Sequence, residues 1–308
     1  MQSASEPKLL KSVNVMSAKS KPFVQTSGDI WLNGQFVEVE KTSIPILTHG
    51  LHYGSAVFEG ERAYGGTIFK SAEHTRRLMN SCNLLGFDLP VNFETFEQAK
   101  RETLSRSGMQ EAYVRAIVWK GSGGLGVGTG DNQVNAAIAM WQMDPYFKPT
   151  SGGLRLDISD WRRPPPDCAP VKAKAAGLYA ICTMSKDKAA QRGFDDALMY
   201  DYEGRVAECT GAHIFFCRDG ALFTPKADWM IDGITRASVL EIAAKRGISV
   251  TEKTIMPDEM STYNECFIVG SAVEVVPVGE IKGQIFTPGK ITQQIVGDYN
   301  KMKYGRPI

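Results

Sequence analysis

The sequence predicts a mixed α and β protein (α+β class) built in two domains, and three observations carry that expectation. Strand-like alternation and helix-like apolar stripes both occur, as in Ala112–Lys120 (AYVRAIVWK) against Glu73–Leu85 (EHTRRLMNSCNLL). A stretch rich in Pro, Gly and Ser, residues 144–153, interrupts the pattern near the middle of the chain. At 308 residues, each side of that break is long enough for its own core. The domains expected are a small N-terminal α/β domain at 28–143 and a larger one at 154–308, joined by the loop 144–153.

Residues 1–27 precede both. They are rich in Ser and Lys, with almost no acid and no arginine, which reads as a disordered extension or a weak targeting peptide, the former preferred. Ordered structure is expected from about Gly28. Ile30–Leu32 and Gln35–Val37 flank Asn33-Gly34, a strong hairpin signal. Leu47–Phe69 reads as a second β region whose glycines, with His52, Tyr53, Phe58, Glu59 and Arg62, suit a cavity wall. Glu73–Leu85 reads as a helix with Ser71 to cap it and Gly86 to end it; Arg77 lies at the margin of its apolar stripe. A second helix is expected at Phe93–Ser105, and strands at Ala112–Lys120 and Asn135–Met143. Between those strands, the glycine-rich run 121–132 has no lysine-hydroxyl ending and leads to no helix, so it is read as a loop beside a binding site and not as a nucleotide cradle.

In the second half, strands are expected at Leu154–Ile158, Ala197–Tyr200, Val206–Ala207, His213–Cys217, Cys266–Val269 and Glu274–Val278, with helices at Thr183–Arg192, Arg236–Arg246 and Ile291–Lys301.

Composition narrows the function. A hydrophobic content of 43% with 22% charged residues describes a globular protein. The net charge of +1, from 35 basic and 34 acidic residues, gives no field that would draw the chain to nucleic acid or to an anionic membrane, so small ligands are expected. No apolar run approaches bilayer length. The six cysteines form no CxxC pair, which suits reduced thiols in the cytoplasm better than disulfides or a metal site, and no metal is expected.

Chemistry concentrates at Val171–Ala180 (VKAKAAGLYA), where Lys172 and Lys174 sit among small residues. An ammonium is costly in such a segment unless it is paired or used. If the segment is a strand, both lysines share a face and alternation cannot choose between them; Gly177, open to a flat ligand, and Tyr179 favour Lys174 by proximity. Glu208 stands at a strand end before small residues, and Gly233-Ile234-Thr235 opens a helix in the manner of a phosphate site. Gly270-Ser271-Ala272 offers further backbone amides. Tyr113 and Arg115 share one strand face, where an arginine suits a carboxylate. A lysine, an acid, a glycine-led helix start, a small-residue loop and a helix-borne arginine together match the needs of pyridoxal 5′-phosphate.

The segments THGLHYGSAVFEG with Arg62, EHTRRL, AYVR, KAAGLY, EGRVAECTGAHIFF, DGITR and GSAVEVVPV add a resemblance. In letters, order and spacing, from about Ile30 to the C-terminus, the sequence resembles the branched-chain amino acid aminotransferases of the fold type IV pyridoxal-phosphate class. The resemblance implies a larger domain folded as a pseudo-barrel and a homodimer. It implies transfer of the amino group between leucine, isoleucine or valine and 2-oxoglutarate by a ping-pong mechanism. Lys174 would be the Schiff-base and catalytic lysine, Tyr179 would bind the ring's phenolic oxygen and Glu208 its nitrogen. Arg77, Ile234, Thr235 and Ser271 would bind the phosphate. The substrate's α-carboxylate would meet Ser271, Ala272 and Tyr113, with Arg62 also on the substrate side. Phe58, and Tyr53 from the neighbouring subunit, would shape the side-chain pocket, and Arg115 would receive the distal carboxylate of glutamate. Ser271 stands where the family has threonine, Cys209 where it has glycine, and MWQMDPY (140–146) replaces a Pro-Trp-Gly element, leaving no assigned pocket tryptophan. The same fold type includes enzymes acting on D-amino acids and (R)-amines; Tyr113-Val114-Arg115 and Leu125-Gly126-Val127 favour the branched-chain group.

Overall fold

The computed structural model describes residues 28–147 and 152–308. The expected N-terminal extension, 1–27, and residues 148–151 of the expected interdomain loop lie outside the described residues.

The first half forms a six-stranded antiparallel sheet from β1 (Asp29–Leu32), β2 (Gln35–Glu38), β3 (Ala56–Tyr64), β4 (Thr67–Ile68), β5 (Ala112–Lys120) and β6 (Val134–Trp141), in the order β2-β1-β6-β5-β3-β4. Asn33 and Gly34 take φ values of 49° and 90°, the left-handed pair that the tight hairpin needs. Three helices accompany the sheet: α1 (His49–Tyr53), α2 (Ser71–Leu84) and α3 (Phe93–Ser107). Leu78, Phe96, Val57, Val114 and Ile138 meet in a fully buried core between the helices and the sheet. Strand β3 is buried on both faces, and its alternation sorts its side chains: Phe58 and Gly60 face the second half, while Glu59 pairs with α2 and Glu61 with α3.

Two expectations change here. The β region read from Leu47 begins instead with α1, a single helical turn closed by Gly54 in the left-handed region, and the strand starts only at Ala56. His49 fixes that turn between the Ser55 hydroxyl at 2.6 Å and the Gly126 carbonyl at 3.1 Å. Ser71 does not cap α2 but lies within its first turn, donating its hydroxyl to Glu97.

The second half forms a nine-stranded mixed sheet of β7 (Leu154–Ile158), β8 (Asp196–Tyr200), β9 (Val206–Cys209), β10 (His213–Arg218), β11 (Ala221–Pro225), β12 (Val250–Lys253), β13 (Glu265–Gly270), β14 (Glu274–Ile281) and β15 (Gln284–Ile285). Its order is β12-β11-β10-β13-β14-β7-β8-β9, with β15 paired to β14. Helices α4 (Tyr179–Gln191), α5 (Ile234–Lys245) and α6 (Lys290–Met302) complete it. From the edge strand β9 the chain passes through Thr210–Ala212 straight into β10, Cys209 N–H donating to the Ala212 carbonyl at 2.7 Å, so the sheet is curled. Burial on both faces of β10 explains its unbroken apolar run: Ile214 and Phe216 point into the curl, and Phe215 and Cys217 pack under α5 and α6.

The two halves are joined by main-chain contacts at the lysine segment. Phe58 N–H donates to the Lys174 carbonyl at 3.1 Å, Val57 bridges Ala175, and Lys174 N–H donates to Ser81 Oγ at 3.0 Å. These contacts replace the strand considered for Val171–Ala180 with a turn, a 3-10 helix at Ala176–Leu178 and the start of α4. Gly177 correspondingly faces the backbone of Gly54, where an added Cβ on Gly54 would lie 3.1 Å from the Gly177 Cα, and no ligand surface.

Candidate active site

Between the halves lies a cavity of about 580 Å³, a volume suited to a coenzyme with a small substrate. The first half contributes Phe58, Arg77, Tyr113 and Arg115, and the second Lys174, Tyr179, Glu208, Ile234, Thr235, Ser271 and Ala272. The sequence-predicted residues Tyr53 and Arg62 are not among its lining. Tyr53 is 48% exposed on the outer surface, its hydroxyl donating to the Leu125 carbonyl at 3.0 Å. Arg62 lies behind the Ser271-Ala272 turn, its Nη1 3.5 Å from the Ala272 carbonyl.

Because the lysine segment turns, its two lysines have separate surroundings. Lys174 Nζ donates to the Tyr179 hydroxyl at 2.6 Å and sits 4.9 Å above the Phe58 ring. Among the described residues it forms no ion pair. Lys172 points instead to the Ala227 carbonyl and to Asp232, outside the cavity lining.

Glu208, at the end of β9, is almost wholly buried. Burial raises its pKa, and the positive charges of Arg163 and then Lys174 offset part of that rise. Arg163 Nε stands 3.1 Å from Glu208 Oε1 and His213 Nδ1 3.9 Å from Oε2. Neither nitrogen has a hydrogen bond with good geometry among the described residues. The His213 imidazole is pushed down to about 3 by burial and by Arg236, Arg77, Lys174 and Arg163, and is neutral at ordinary pH.

That neutral ring forms the floor of the helix start at Gly233. A Cβ on Gly233 would overlap the imidazole, so a glycine is required where α5 begins. No side chain caps α5, and its first N–H groups, which lack intrahelical partners, stand at the Ile234-Thr235 edge of the cavity. Arg77 reaches the same end from α2. Its guanidinium donates to Glu59 at 2.6 and 2.8 Å and, through Nη1, to the Asp232 carbonyl at 2.8 Å. Burial alone would raise the Glu59 pKa, but Arg77 and His74 outweigh it and hold the carboxyl well below the usual range.

Opposite this end, the Tyr113 hydroxyl accepts from Arg115 Nη2 at 3.1 Å, and Arg115 lies 4.8 Å from the Phe58 ring. Gly60 leaves room for that phenol, since a Cβ there would overlap its oxygen. Trp141, from the stretch that departs from the family pattern, packs 4.9 Å from the Tyr113 ring, and Tyr146 lines the cavity.

Sequence reasoning missed Arg163, His213 and His74. Their signals were faint: a basic residue heading the proline run, a histidine opening an otherwise apolar strand, and a second polar side chain one turn before Arg77. In the 121–132 loop, buried Asn132 bonds Gly121 and Gly124, and the tip at Leu125 and Val127 is exposed. Among the described residues no cluster of His, Cys, Asp and Glu could hold a metal ion, and no helix is long and apolar enough to cross a membrane.

Comparison with known proteins gives a consistent result. Residues 56–281 match the family model of the class IV amino-transferases. The chain is 39% identical over 280 residues to a probable branched-chain-amino-acid aminotransferase of Rickettsia bellii, covering 90% of this chain and 96% of that protein. A crystal structure of a branched-chain aminotransferase from Thermoproteus uzoniensis with norvaline is similar with a TM-score of 0.87 and 35% identity, over 91% of this chain and 96% of that one. The branched-chain amino acid aminotransferase from Thermobaculum terrenum, in its PLP-bound holo-form, is similar with a TM-score of 0.84 and 26% identity, over 91% and 95%.

Proposed function

Since the chain belongs to the class IV aminotransferase family, we propose that it moves amino groups between leucine, isoleucine or valine and 2-oxoglutarate, with pyridoxal 5′-phosphate held in the cavity between its two halves. The observation that carries this reading is that Lys174, Tyr179 and Glu208 converge on one cavity with an uncapped helix start and a half-buried arginine at its edge. When bound, the coenzyme supplies an aldehyde for amines and a ring that draws negative charge away from the substrate's α-carbon. The residues fit it: Lys174 is the amine, Glu208 the carboxylate partner for a protonated ring nitrogen, and Tyr179 the partner for the phenolic oxygen. Thr235, Ile234, Ser271 and Arg77 hold the phosphate, for which the Gly233 cradle over His213 leaves room.

Lys174 Nζ is the base that takes the proton from the substrate's α-carbon. Tyr179 holds that nitrogen in place over Phe58. The raised pKa of Glu208 suits a carboxyl that shares a proton with a ring nitrogen, since a closer match in basicity strengthens such a bond. Tyr113, Ser271 and Ala272 orient the α-carboxylate, while Arg62 acts from behind by holding the Ala272 carbonyl.

Phe58, Ile117 and Tyr113 make an apolar wall for an aliphatic side chain, and Arg115, which has no ion-pair partner among the described residues, takes the distal carboxylate of 2-oxoglutarate. One pocket therefore serves both substrates in turn, the condition for ping-pong kinetics.

The exposed apolar residues Ile44, Ile46, Leu47, Leu51, Tyr53, Leu125 and Val127 lie on two segments tied together by the Tyr53 and His49 hydrogen bonds, and we assign them to a homodimer interface that brings Tyr53 toward the neighbouring cavity. The unpaired cysteines support a cytoplasmic setting. The test is a parallel assay of L-leucine, D-alanine and (R)-1-phenylethylamine with 2-oxoglutarate. Turnover of L-leucine alone is expected; turnover of either of the others without L-leucine would overturn the assignment.

A further inference from the structure

Glu59 has no exposed surface, yet its carboxylate reaches both elements at the anion-binding end of the cavity. It accepts from Arg77 Nε and Nη2 at 2.6 and 2.8 Å and from His74 Nδ1 at 2.7 Å. His74 and Arg77 stand three residues apart on α2 and so share a helix face. Each then hands on a contact to the second half of the chain. Arg77 Nη1 donates to the Asp232 carbonyl, next to the glycine that starts α5. His74, itself 1% exposed, places Nε2 3.4 Å from Ser271 Oγ. Glu61 provides an internal contrast: it lies two residues along the same strand face, but its partner is Lys100 at 2.9 Å, away from the cavity.

We propose that Glu59 and His74 are positioning residues for the phosphate of the coenzyme, Glu59 fixing Arg77 directly and Ser271 through His74. His74 meets Glu59 through Nδ1 and the Ser271 hydroxyl through Nε2, so the ring that Glu59 holds in turn fixes where that hydroxyl stands for a phosphate oxygen. Neither Glu59 nor His74 touches substrate. The inference rests on the reading that this end of the cavity takes the phosphate, and its test separates the two.

The experiment measures dissociation constants of pyridoxal 5′-phosphate and of pyridoxal, which lacks the phosphate, on the full-length chain and its variants. Glu59→Gln, His74→Leu and Ser271→Ala are each expected to weaken the phosphate ester by about tenfold or more, the size of one charge-assisted hydrogen bond, with pyridoxal changed less than about twofold. Combining His74→Leu with Ser271→Ala is expected to cost little beyond either alone, because both remove one path. Ser271→Thr keeps the hydroxyl and should keep the affinity, and Glu61→Gln should leave the ratio of the two ligands unchanged. Equal losses for both ligands in His74→Leu, or His74 and Ser271 losses that multiply, would overturn the inference while leaving the coenzyme reading intact. A wild-type chain with no preference for the phosphate ester would overturn both. His74→Leu carries the test by itself if Glu59→Gln does not fold.

Discussion

Lys174 Nζ lies 2.6 Å from the Tyr179 hydroxyl, brought there by the 3-10 turn at Ala176–Leu178. Had the segment been extended, the amine and the phenol would have diverged. Lys174→Ala is therefore expected to abolish transamination and the visible absorbance of lysine-bound coenzyme. Tyr179→Phe keeps the amine but loses its partner, and a fall in kcat of about 10- to 100-fold is expected, in the range of one positioned acid–base contact. Lys172→Ala, which changes a lysine outside the cavity, should keep both absorbance and turnover; loss of both there and retention in Lys174→Ala would reverse the assignment.

Arg163 opposes the burial that raises the Glu208 pKa. Removing its charge, as in Arg163→Met, leaves less to stabilise the carboxylate, so Glu208 keeps its proton to a higher pH. The anionic carboxylate is the form that can accept a ring-nitrogen proton. The acid limb of the kcat profile should accordingly move to higher pH in the variant. At a fixed pH below the limb, activity should fall about tenfold for each pH unit by which the limb moves, and recover on alkalinisation. Glu208→Gln should be low across the range. An acid limb unmoved in Arg163→Met would sever the link between these residues.

The parts of the fold that were legible in the sequence are those specified by neighbours in the chain. Asn33-Gly34 dictates its own hairpin, the β10 run is apolar because both faces are covered, and the Arg77 stripe needs only helical period. The helix α1 was illegible because five residues show no period, and its shape depends on His49 meeting Gly126 far along the chain. The choice between Lys172 and Lys174 has the same origin: the turn that separates them is set by main-chain bonds to Phe58 and Ser81. Arg163 and Glu208 likewise meet only because β8 and β9 pair and the chain before α4 runs alongside Tyr200 and Asp201. The candidate site residues could be picked out by type, whereas the contacts that bring them together and hold them in place are tertiary.

His213 makes stability depend on pH. Its ordinary pKa is 6.5, and in the fold it is pushed down to about 3. Below pH 6.5 the unfolded chain binds a proton that the folded chain refuses until about pH 3, so this group's contribution is complete above 6.5 and is lost progressively as pH falls. The slope is on the order of 1 kcal/mol per pH unit within that window. Denaturant unfolding at several pH values between about 7.5 and 4 should show a shallower loss for His213→Gln than for the wild type. Identical slopes would mean that the imidazole does not titrate as its burial implies.

The apolar patch around Leu51, 64% exposed, and Val127, 80% exposed, is expected to be covered by a second copy of the chain. Leu51→Asp with Val127→Asp should convert a dimer to a monomer by light scattering. Tyr53→Phe, which removes only a hydroxyl, should leave assembly intact. A wild type that is monomeric at micromolar concentration would assign the patch elsewhere.

If the pocket takes both substrates as proposed, Arg115 is the residue expected to tell them apart. Its guanidinium lies against the Phe58 face and bonds only to the Tyr113 hydroxyl among the described residues, so in an aliphatic complex it stays stacked on the aromatic wall. With 2-oxoglutarate it gains a carboxylate in a setting of low dielectric, worth about 1.5–3 kcal/mol for a charged hydrogen bond. Arg115→Met should therefore raise the KM for 2-oxoglutarate by about 10- to 100-fold while leaving the half-reaction with L-leucine within about threefold. The aliphatic half-reaction is spared because methionine restores apolar volume against Phe58. Equal loss in both half-reactions would instead make Arg115 a support for Tyr113, and the receptor for the distal carboxylate would have to be sought among the other cavity residues.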